Sequence, residues 1–186
     1  MKITLEKILD DLDSIPLSVS QLKIIANCNS FLSFEDLLKY NSFEHLFTSL
    51  GNEILIIIKS TKNYGHFAVL FKHSKNKCIF YDSYGLKFED ILKNFSYTSK
   101  IIQGINPLKK LESSSNIKCE MNTFTHQDKH SRYNEINTCG FHCANRIRYN
   151  FLNNSEYNDF MNSTKIKHDD FVILTNLNVA LDINII

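Results

Sequence analysis

Three apolar segments in the middle of the chain constrain its fold more than any other feature. They are "EILIIIKS" at 53–60, "HFAVLFKH" at 66–73 and "KCIFYDS" at 77–83. Continuous runs of β-branched and aromatic residues of this length are typical of buried strands. The short polar turn "SKNK" between the second and third runs predicts that they form an antiparallel hairpin.

Helical patterns lie on both sides of this predicted sheet. Residues 1–50 carry apolar residues at helical spacing, with helix caps predicted at Ser18 and Ser33 and a helix end at Gly51. The other predicted elements are helices over 87–95, 139–154 and 168–183 and a fourth strand over 117–127. The segment "NPLKKLESSSN" is interpreted as a surface loop. This order predicts an α+β fold, in which helices flank a mostly antiparallel central sheet.

The length and composition fit one globular domain. The chain has 186 residues, of which 43% are hydrophobic and 12% aromatic, and this is enough to form one sizeable core. It contains no internal repeat and no Pro-rich or Gly-rich linker. We therefore expect a single domain, with a helical N-terminal part over 1–50, a core over 51–155 and a helical C-terminal segment over 156–186.

The charge and the cysteine count exclude several classes of protein. A net charge of +1 gives no reason to expect nucleic acid or a membrane as the main partner. Five cysteines, an odd number without dense spacing, argue against the disulfide framework of a small secreted protein. Acidic residues interrupt the N-terminal apolar pattern, and no apolar run reaches the ~18 to 20 residues that cross a bilayer. These features predict a soluble intracellular protein with reduced thiols.

Cys139 lies where a polar loop becomes a predicted helix, and Gly140 follows it. The backbone N–H groups at a helix start are unpaired, and the helix dipole is positive there, so this position favours a thiolate. The same N–H groups can bind a developing oxyanion. Cys139 is therefore a candidate nucleophile; the alternative is that it is only a small residue at a helix cap.

A thiolate nucleophile needs a base, and the base needs a group that orients it. His66 begins one strand of the predicted hairpin, and Asp82 ends the other. Because the start of one antiparallel strand lies beside the end of its partner, we expect these two side chains to meet at one edge of the sheet.

A metal site is the main alternative for this region. Cys139 and Cys143 are four residues apart on a predicted helix, and His142, His126 or His130 could add further zinc ligands. Structural zinc sites usually combine two closely spaced ligand pairs, and the chain has only one such cysteine pair. We expect Cys143 to be a buried core residue and His142 to lie at the surface or behind the site. The cysteines expected to pack in the core are Cys28 and Cys78.

The motifs "GHFAVLF", "CIFYDSYG" and "NTCGFHC", in this order, resemble those of the adenovirus maturation protease (adenain) and of the clan that includes the SUMO-specific proteases. The resemblance covers about residues 50–155. In that clan the chain order is His, acid, Gln and then Cys followed by Gly, whereas papain-type enzymes have the order Cys, His, Asn. The resemblance implies the cysteine protease fold of this clan.

The resemblance also implies a role for each matching residue. His66 corresponds to the general base, Asp82 to the group that orients it and Cys139 to the nucleophile. The glutamine of the oxyanion hole usually lies six or seven residues before the nucleophile, but here the nearest glutamine is Gln127, twelve residues before it. Gln127 follows a predicted strand as the family's glutamine does, so it is favoured, with Asn134 as the alternative donor.

The adenain-like branch implies a biological role. Its members of this size occur in DNA viruses and virophages. The abundance of Ile, Asn, Lys and Ser is typical of an AT-rich coding genome, which fits a virus or virophage of a protist, and the resemblance implies a mavirus-type virophage as the source. By resemblance, the protein is a thiol protease (a hydrolase) that cleaves capsid and other virion precursors during particle maturation, in the virion and in the virus factory of the host cytoplasm. It would act as a monomer without cofactor, metal or membrane, and a viral peptide or DNA could activate it. Cys119 lies near the position where the family binds such a peptide, although core packing is favoured for it.

Two other functions remain open at this stage. The same chemistry could act on host ubiquitin-like conjugates instead of virion proteins. A chain of this fold could also be a non-catalytic structural or binding protein of the virion.

Overall fold

The computed structural model of the chain describes residues 4–127, 137–183 and 185, and these residues form five strands and ten α-helices. The strands are β1 (Phe31–Ser33), β2 (Glu53–Lys59), β3 (Gly65–Ser74), β4 (Lys77–Asp82) and β5 (Lys118–Met121). The helices are α1 (Leu5–Ser14), α2 (Val19–Ala26), α3 (Phe43–Leu50), α4 (Phe88–Asn94), α5 (Ser96–Ile102), α6 (Pro107–Ser113), α7 (Cys139–Arg148), α8 (Asn154–Ser163), α9 (His168–Leu174) and α10 (Leu177–Asp182). A short 3-10 helix, Phe34–Lys39, precedes α3.

The strands form one sheet in the order β1-β2-β3-β4-β5. The predicted hairpin is present: β3 and β4 are antiparallel, and Ala68 lies opposite Asp82. Strands β2 and β3 are also antiparallel, with Ile58 opposite His66. His66 therefore lies two residues along β3 from the position opposite Asp82, on the same face of the sheet.

The prediction of a mostly antiparallel sheet is wrong, although the α+β class is confirmed. The outer pairs, β1 with β2 and β4 with β5, are both parallel. Parallel neighbours need a long crossover connection. The 3-10 helix and α3 provide the first crossover, and α4, α5 and α6 provide the second.

Capping residues account for where the N-terminal helices begin and end. Ser18 caps α2 in a capping box with Gln21, as the sequence predicts. Ser33 is the N-cap of the 3-10 helix, and its hydroxyl donates to Asp36 at 2.7 Å. The predicted helix end at Gly51 is confirmed, since α3 stops at this residue, whose φ is +94°.

Several element boundaries differ from the predictions. The segment interpreted as a surface loop contains α6, for which Asn106 supplies the N-terminal cap and Pro107 the first residue. The fourth predicted strand is limited to β5. The predicted helix over 139–154 is shortened, because α7 ends at Arg148, and the predicted helix over 168–183 is divided into α9 and α10. These short helices are stabilised by tertiary packing more than by propensity, so their limits are weakly marked in the sequence.

The sheet separates two apolar layers, because alternate side chains of each strand point to opposite faces. Val69 and Phe71 of β3 face the first layer, which contains α1, α2 and α7 to α10. Ala68 and Leu70 face the second layer, which contains the 3-10 helix and α3 to α6.

The first layer joins distant parts of the chain in one cluster. Leu22 from the N-terminal part, Phe141 from α7 and Val172 from α9 all belong to it, and none is exposed. Across the described ranges, the helices are too short or too polar to cross a membrane.

Candidate active site

His66 and Asp82 meet at one end of the sheet. The Nε2 atom of His66 lies 3.0 Å from Oδ1 of Asp82, and both side chains are buried, with 6% and 1% exposed. The same Oδ1 accepts the backbone N–H of Tyr84 at 2.6 Å. Two donors on one carboxylate oxygen fix its position, and the carboxylate in turn fixes the orientation of the imidazole.

Aromatic rings and charged groups surround His66. Tyr84 stacks on its ring with centroids 4.6 Å apart, and Phe95 lies 6.0 Å away. Burial by itself lowers the pKa of His66, but the charges of Asp82 and Cys139 and the hydrogen bonds to both side chains raise it to about 10. The imidazole is therefore protonated at neutral pH, beside the Asp82 carboxylate and the sulfur of Cys139.

The glycine before His66 has a steric role. A Cβ atom on Gly65 would lie 2.3 Å from the carbonyl oxygen of Ile58 on the neighbouring strand. Only glycine permits this approach of β3 to β2, and the close pairing holds the residue that follows.

Cys139 is the first residue of α7 and is partly exposed. Thr138 precedes it at the N-cap position, but its side chain makes no cap hydrogen bond. The next residue, Gly140, is buried, and a Cβ atom there would lie 2.8 Å from Leu17 Cδ1. A larger residue would require the Leu17 side chain to shift, a contact that the sequence did not indicate.

Gln127 lies beside the same cleft and is 1% exposed. The Ser83 hydroxyl donates to Oε1 of Gln127 at 2.7 Å, and the backbone N–H of Gln127 donates to the carbonyl oxygen of Ser83 at 3.1 Å. Because Oε1 of Gln127 faces Ser83, the NH₂ group of the same amide points away from Ser83. Gln127 is thus held firmly next to the residue that follows Asp82.

A cleft of about 460 Å³ connects these residues. His66, Gln127 and Cys139 line it, and Asp82 lies directly behind His66. The other lining side chains are apolar, aromatic or neutral polar: Ser60, Tyr84, Leu86, Asn94, Phe95 and Asn137. The structure thus brings the four predicted site residues together, and their catalytic roles stay predictions.

Two asparagines at the site were missed by sequence reasoning. Asn122 donates to the carbonyl oxygens of Asp82 at 2.7 Å and Phe124 at 2.8 Å, which ties the end of β4 to the segment leading to Gln127. Asn137 lines the cleft and is anchored to α1, because its Nδ2 donates to the carbonyl oxygen of Ser14 at 3.0 Å. The bonds from Asn122 to Asp82 and from Asn137 to Ser14 join distant parts of the chain and have no local sequence signal.

The alternative oxyanion donor, Asn134, lies outside the described residues, and so does His130, a candidate zinc ligand. Within the described ranges, no group of three or more His, Cys, Asp or Glu side chains is arranged to hold a metal ion.

The other cysteines and His142 are packed inside the protein, fully or in part. The predicted core packing of Cys28, Cys78 and Cys143 is confirmed, since all three are buried. Cys119 is partly buried and packs against the second layer. His142 is not at the surface: it is 0% exposed and lies behind the nucleophile.

The fold and the site together define an α+β protein with a Cys–His–Asp cluster at an open cleft. Over 159 residues the chain is 27% identical to "Uncharacterized protein V9" of Sputnik virophage, covering 82% of this chain and 89% of that protein. No protein-family model matches the sequence. The similarity points to a virophage origin, whereas the mavirus type stays a prediction, and the name of this relative assigns no activity.

Proposed function

We propose that this protein is a cysteine endopeptidase that cleaves capsid and other virion precursor proteins of a mavirus-type virophage during particle maturation. The observation that carries the proposal is the buried His66, whose Nε2 lies 3.0 Å from Asp82 Oδ1 and which lines the same cleft as Cys139. A histidine with a carboxylate and a thiol as its two partners is the arrangement of an activated thiol nucleophile.

The proposed reaction starts from an ion pair in which His66 is protonated and Cys139 is a thiolate. Nε2 of His66 is bound to Asp82, so Nδ1 is the nitrogen that serves Cys139. His66 holds the thiol proton, and the thiolate attacks the carbonyl carbon of the substrate peptide bond. Asp82 keeps the imidazole in this orientation and stabilises its positive charge.

The developing oxyanion lies at the start of α7. The backbone N–H of Cys139 and the side-chain NH₂ of Gln127 would donate to it. Collapse of the tetrahedral intermediate breaks the C–N bond, and His66 gives its proton to the leaving amine. A water molecule, deprotonated by His66, then attacks the thioester and releases Cys139 as a thiolate, which restores the starting ion pair.

The proposal is tested by co-expressing the chain with the capsid precursor of the same virus and sequencing the N-termini of the fragments. We expect wild-type protein to cleave the precursor and Cys139→Ala to lose cleavage completely without unfolding. Cys28→Ala is the matched control: it removes a thiol buried elsewhere in the first layer and should keep cleavage. Cleavage by Cys139→Ala at the wild-type rate would exclude the proposed nucleophile.

Reactive probes separate the proposed substrate class from ubiquitin-like conjugates. A short peptide vinyl sulfone should add to Cys139, and the added mass should map to the peptide that contains this residue. Faster addition of a ubiquitin-like vinyl sulfone would instead favour a deconjugating protease. No addition of either probe to Cys139 would favour a non-catalytic virion protein. The proposed activation by a viral peptide or DNA is tested by adding each component to the probe reaction.

A further inference from the structure

A buried polar network lies directly behind Cys139. Asp169, near the start of α9, is 1% exposed, and its Oδ1 accepts the hydroxyl of Thr138. The same oxygen lies 3.0 Å from Nε2 of His142. Both partners are 0% exposed, so this network lies within the protein core.

The two partners of Asp169 lie on either side of the nucleophile in the first turn of α7. The backbone N–H of His142 donates to the carbonyl oxygen of Thr138 at 3.0 Å, which closes this turn around Cys139. One carboxylate from another helix therefore holds both ends of the turn. Asp169, which lies on α9, therefore fixes the position of the turn that carries the thiol.

The network also changes how α7 begins. A threonine at the N-cap usually accepts a hydrogen bond from a backbone N–H of the first turn. Here the Thr138 hydroxyl donates to Asp169 and makes no cap bond, and its backbone has φ −80° and ψ 0° rather than the extended conformation. The side chain of Thr138 is thus directed away from the backbone N–H groups that face the cleft.

A buried carboxylate is costly to desolvate, and a well-packed apolar side chain is often as stable or more stable at such a site. Stability alone does not explain an aspartate here, whereas control of the adjacent thiol does. We propose that Asp169 is a positioning residue for Cys139, acting through Thr138 and His142. The inference rests on the proposed function only for its effect on turnover; its effect on the thiol is independent.

The experiment compares three threonine variants by the rate at which iodoacetamide alkylates Cys139, followed by peptide mass spectrometry at pH 7. Thr138→Val removes the hydroxyl and keeps the shape, and we expect alkylation to slow by about tenfold or more, because small misplacements of a reacting group have large effects. Thr138→Ser restores the hydroxyl and should stay within about threefold of wild type.

Thr98→Val is the matched control for a lost buried hydroxyl. Thr98 is also 0% exposed and donates to a carboxylate, Glu35, at 3.1 Å, but it lies in the second layer. It should lower the unfolding temperature about as much as Thr138→Val and leave alkylation of Cys139 unchanged. Equal slowing in both variants, or no slowing in Thr138→Val, would overturn the proposal.

Asp169 variants provide the second test, which also applies if Thr138→Val does not fold. Asp169→Asn keeps an oxygen acceptor for Thr138 and His142, whereas Asp169→Ala removes it. We expect Asp169→Ala to lower kcat by about tenfold or more with little change in KM. Asp169→Asn should keep most of the wild-type kcat. Equal kcat values in these two variants would contradict a positioning role.

The two proposals fail in different ways. If the wild-type protein cleaves no peptide but alkylation of Cys139 still depends on the Thr138 hydroxyl, the positioning role stands and the proposed function fails. If the wild-type protein is a peptidase and alkylation is the same in Thr138→Val, the proposed function stands and the positioning role fails.

Discussion

At the scale of single residues, the charge on His66 depends on its two partners. Asp82 lies on β4, which pairs with the strand that carries His66. Cys139 comes from a helix in the first layer. The charge of Cys139 and its hydrogen bond both raise the pKa of His66. Removal of the thiol should therefore change the pKa of the imidazole.

Cys139→Ala should therefore lower the pKa of His66 below about 10, while Asp82 still holds it above the level that burial alone would give. The measurement is a pH titration of the His66 ring signals by NMR in wild-type protein and in the variant. Cys28→Ala, which removes a distant thiol, should leave the titration unchanged. An identical His66 titration in Cys139→Ala would show that the thiol and the imidazole do not interact.

The residues of the candidate site were predictable to different degrees. His66 and Asp82 are adjacent because they lie at neighbouring positions of an antiparallel hairpin, and the strand pattern of that hairpin is visible in the sequence. Asp169 and Asn122 act through bonds to residues far away in the chain, so no local pattern marks them. The burial of His142 depends in the same way on how α9 packs against α7.

At the scale of elements, the central strands were predictable and their outer neighbours were not. Long apolar runs identify β2, β3 and β4, whereas β1 has three residues and β5 has four. Short strands at the edges carry too few residues to show a period, and their parallel direction is decided by the helical crossovers. The same limit applies to the six- and seven-residue helices.

The connection from α7 to α8 depends on Arg146. This residue is 0% exposed, and its guanidinium lies 4.6 Å from the ring centroids of both Phe71 and Tyr157. It donates to the carbonyl oxygens of Tyr149 at 2.6 Å and Leu152 at 2.7 Å. Burial lowers the pKa of Arg146 to about 10, so it stays protonated at neutral pH.

Arg146→Lys should destabilise the protein by about 2–3 kcal/mol, because an ammonium cannot stack on two rings and donate to two carbonyl groups in one plane. The measurement is urea unfolding at pH 7. Arg148→Lys is the control on the same helix; Arg148 is exposed, and its replacement should change the free energy of unfolding by about 0.5 kcal/mol or less. Equal losses in the two variants would contradict this account.

At the scale of the whole molecule, the first layer contains a histidine that cannot be charged. His126 is 3% exposed, and its Nδ1 lies 3.2 Å from the hydroxyl of Tyr81. Burial, followed by the charges of His142 and His168, lowers the pKa of His126 from 6.5 to about 3. The folded protein therefore keeps this ring neutral, while the unfolded chain binds a proton below pH 6.5.

As the pH falls from 6.5 towards 3, the His126 contribution destabilises the folded state by up to about 1.4 kcal/mol per pH unit. His126→Gln should be less stable than wild type at pH 7.5, and the difference should shrink as the pH falls to 5.5. Urea unfolding at these two pH values measures the difference; a constant difference would contradict the lowered pKa.

The topology of the sheet also sets the order in which the cluster can be assembled. His66 and Asp82 are 16 residues apart and belong to one hairpin, which closes a short loop. Cys139 joins them only after α7 has docked on the sheet, and its turn is fixed only when Asp169 reaches Thr138, 31 residues away in sequence. We therefore expect the His66–Asp82 pair to form before Cys139 joins it during folding.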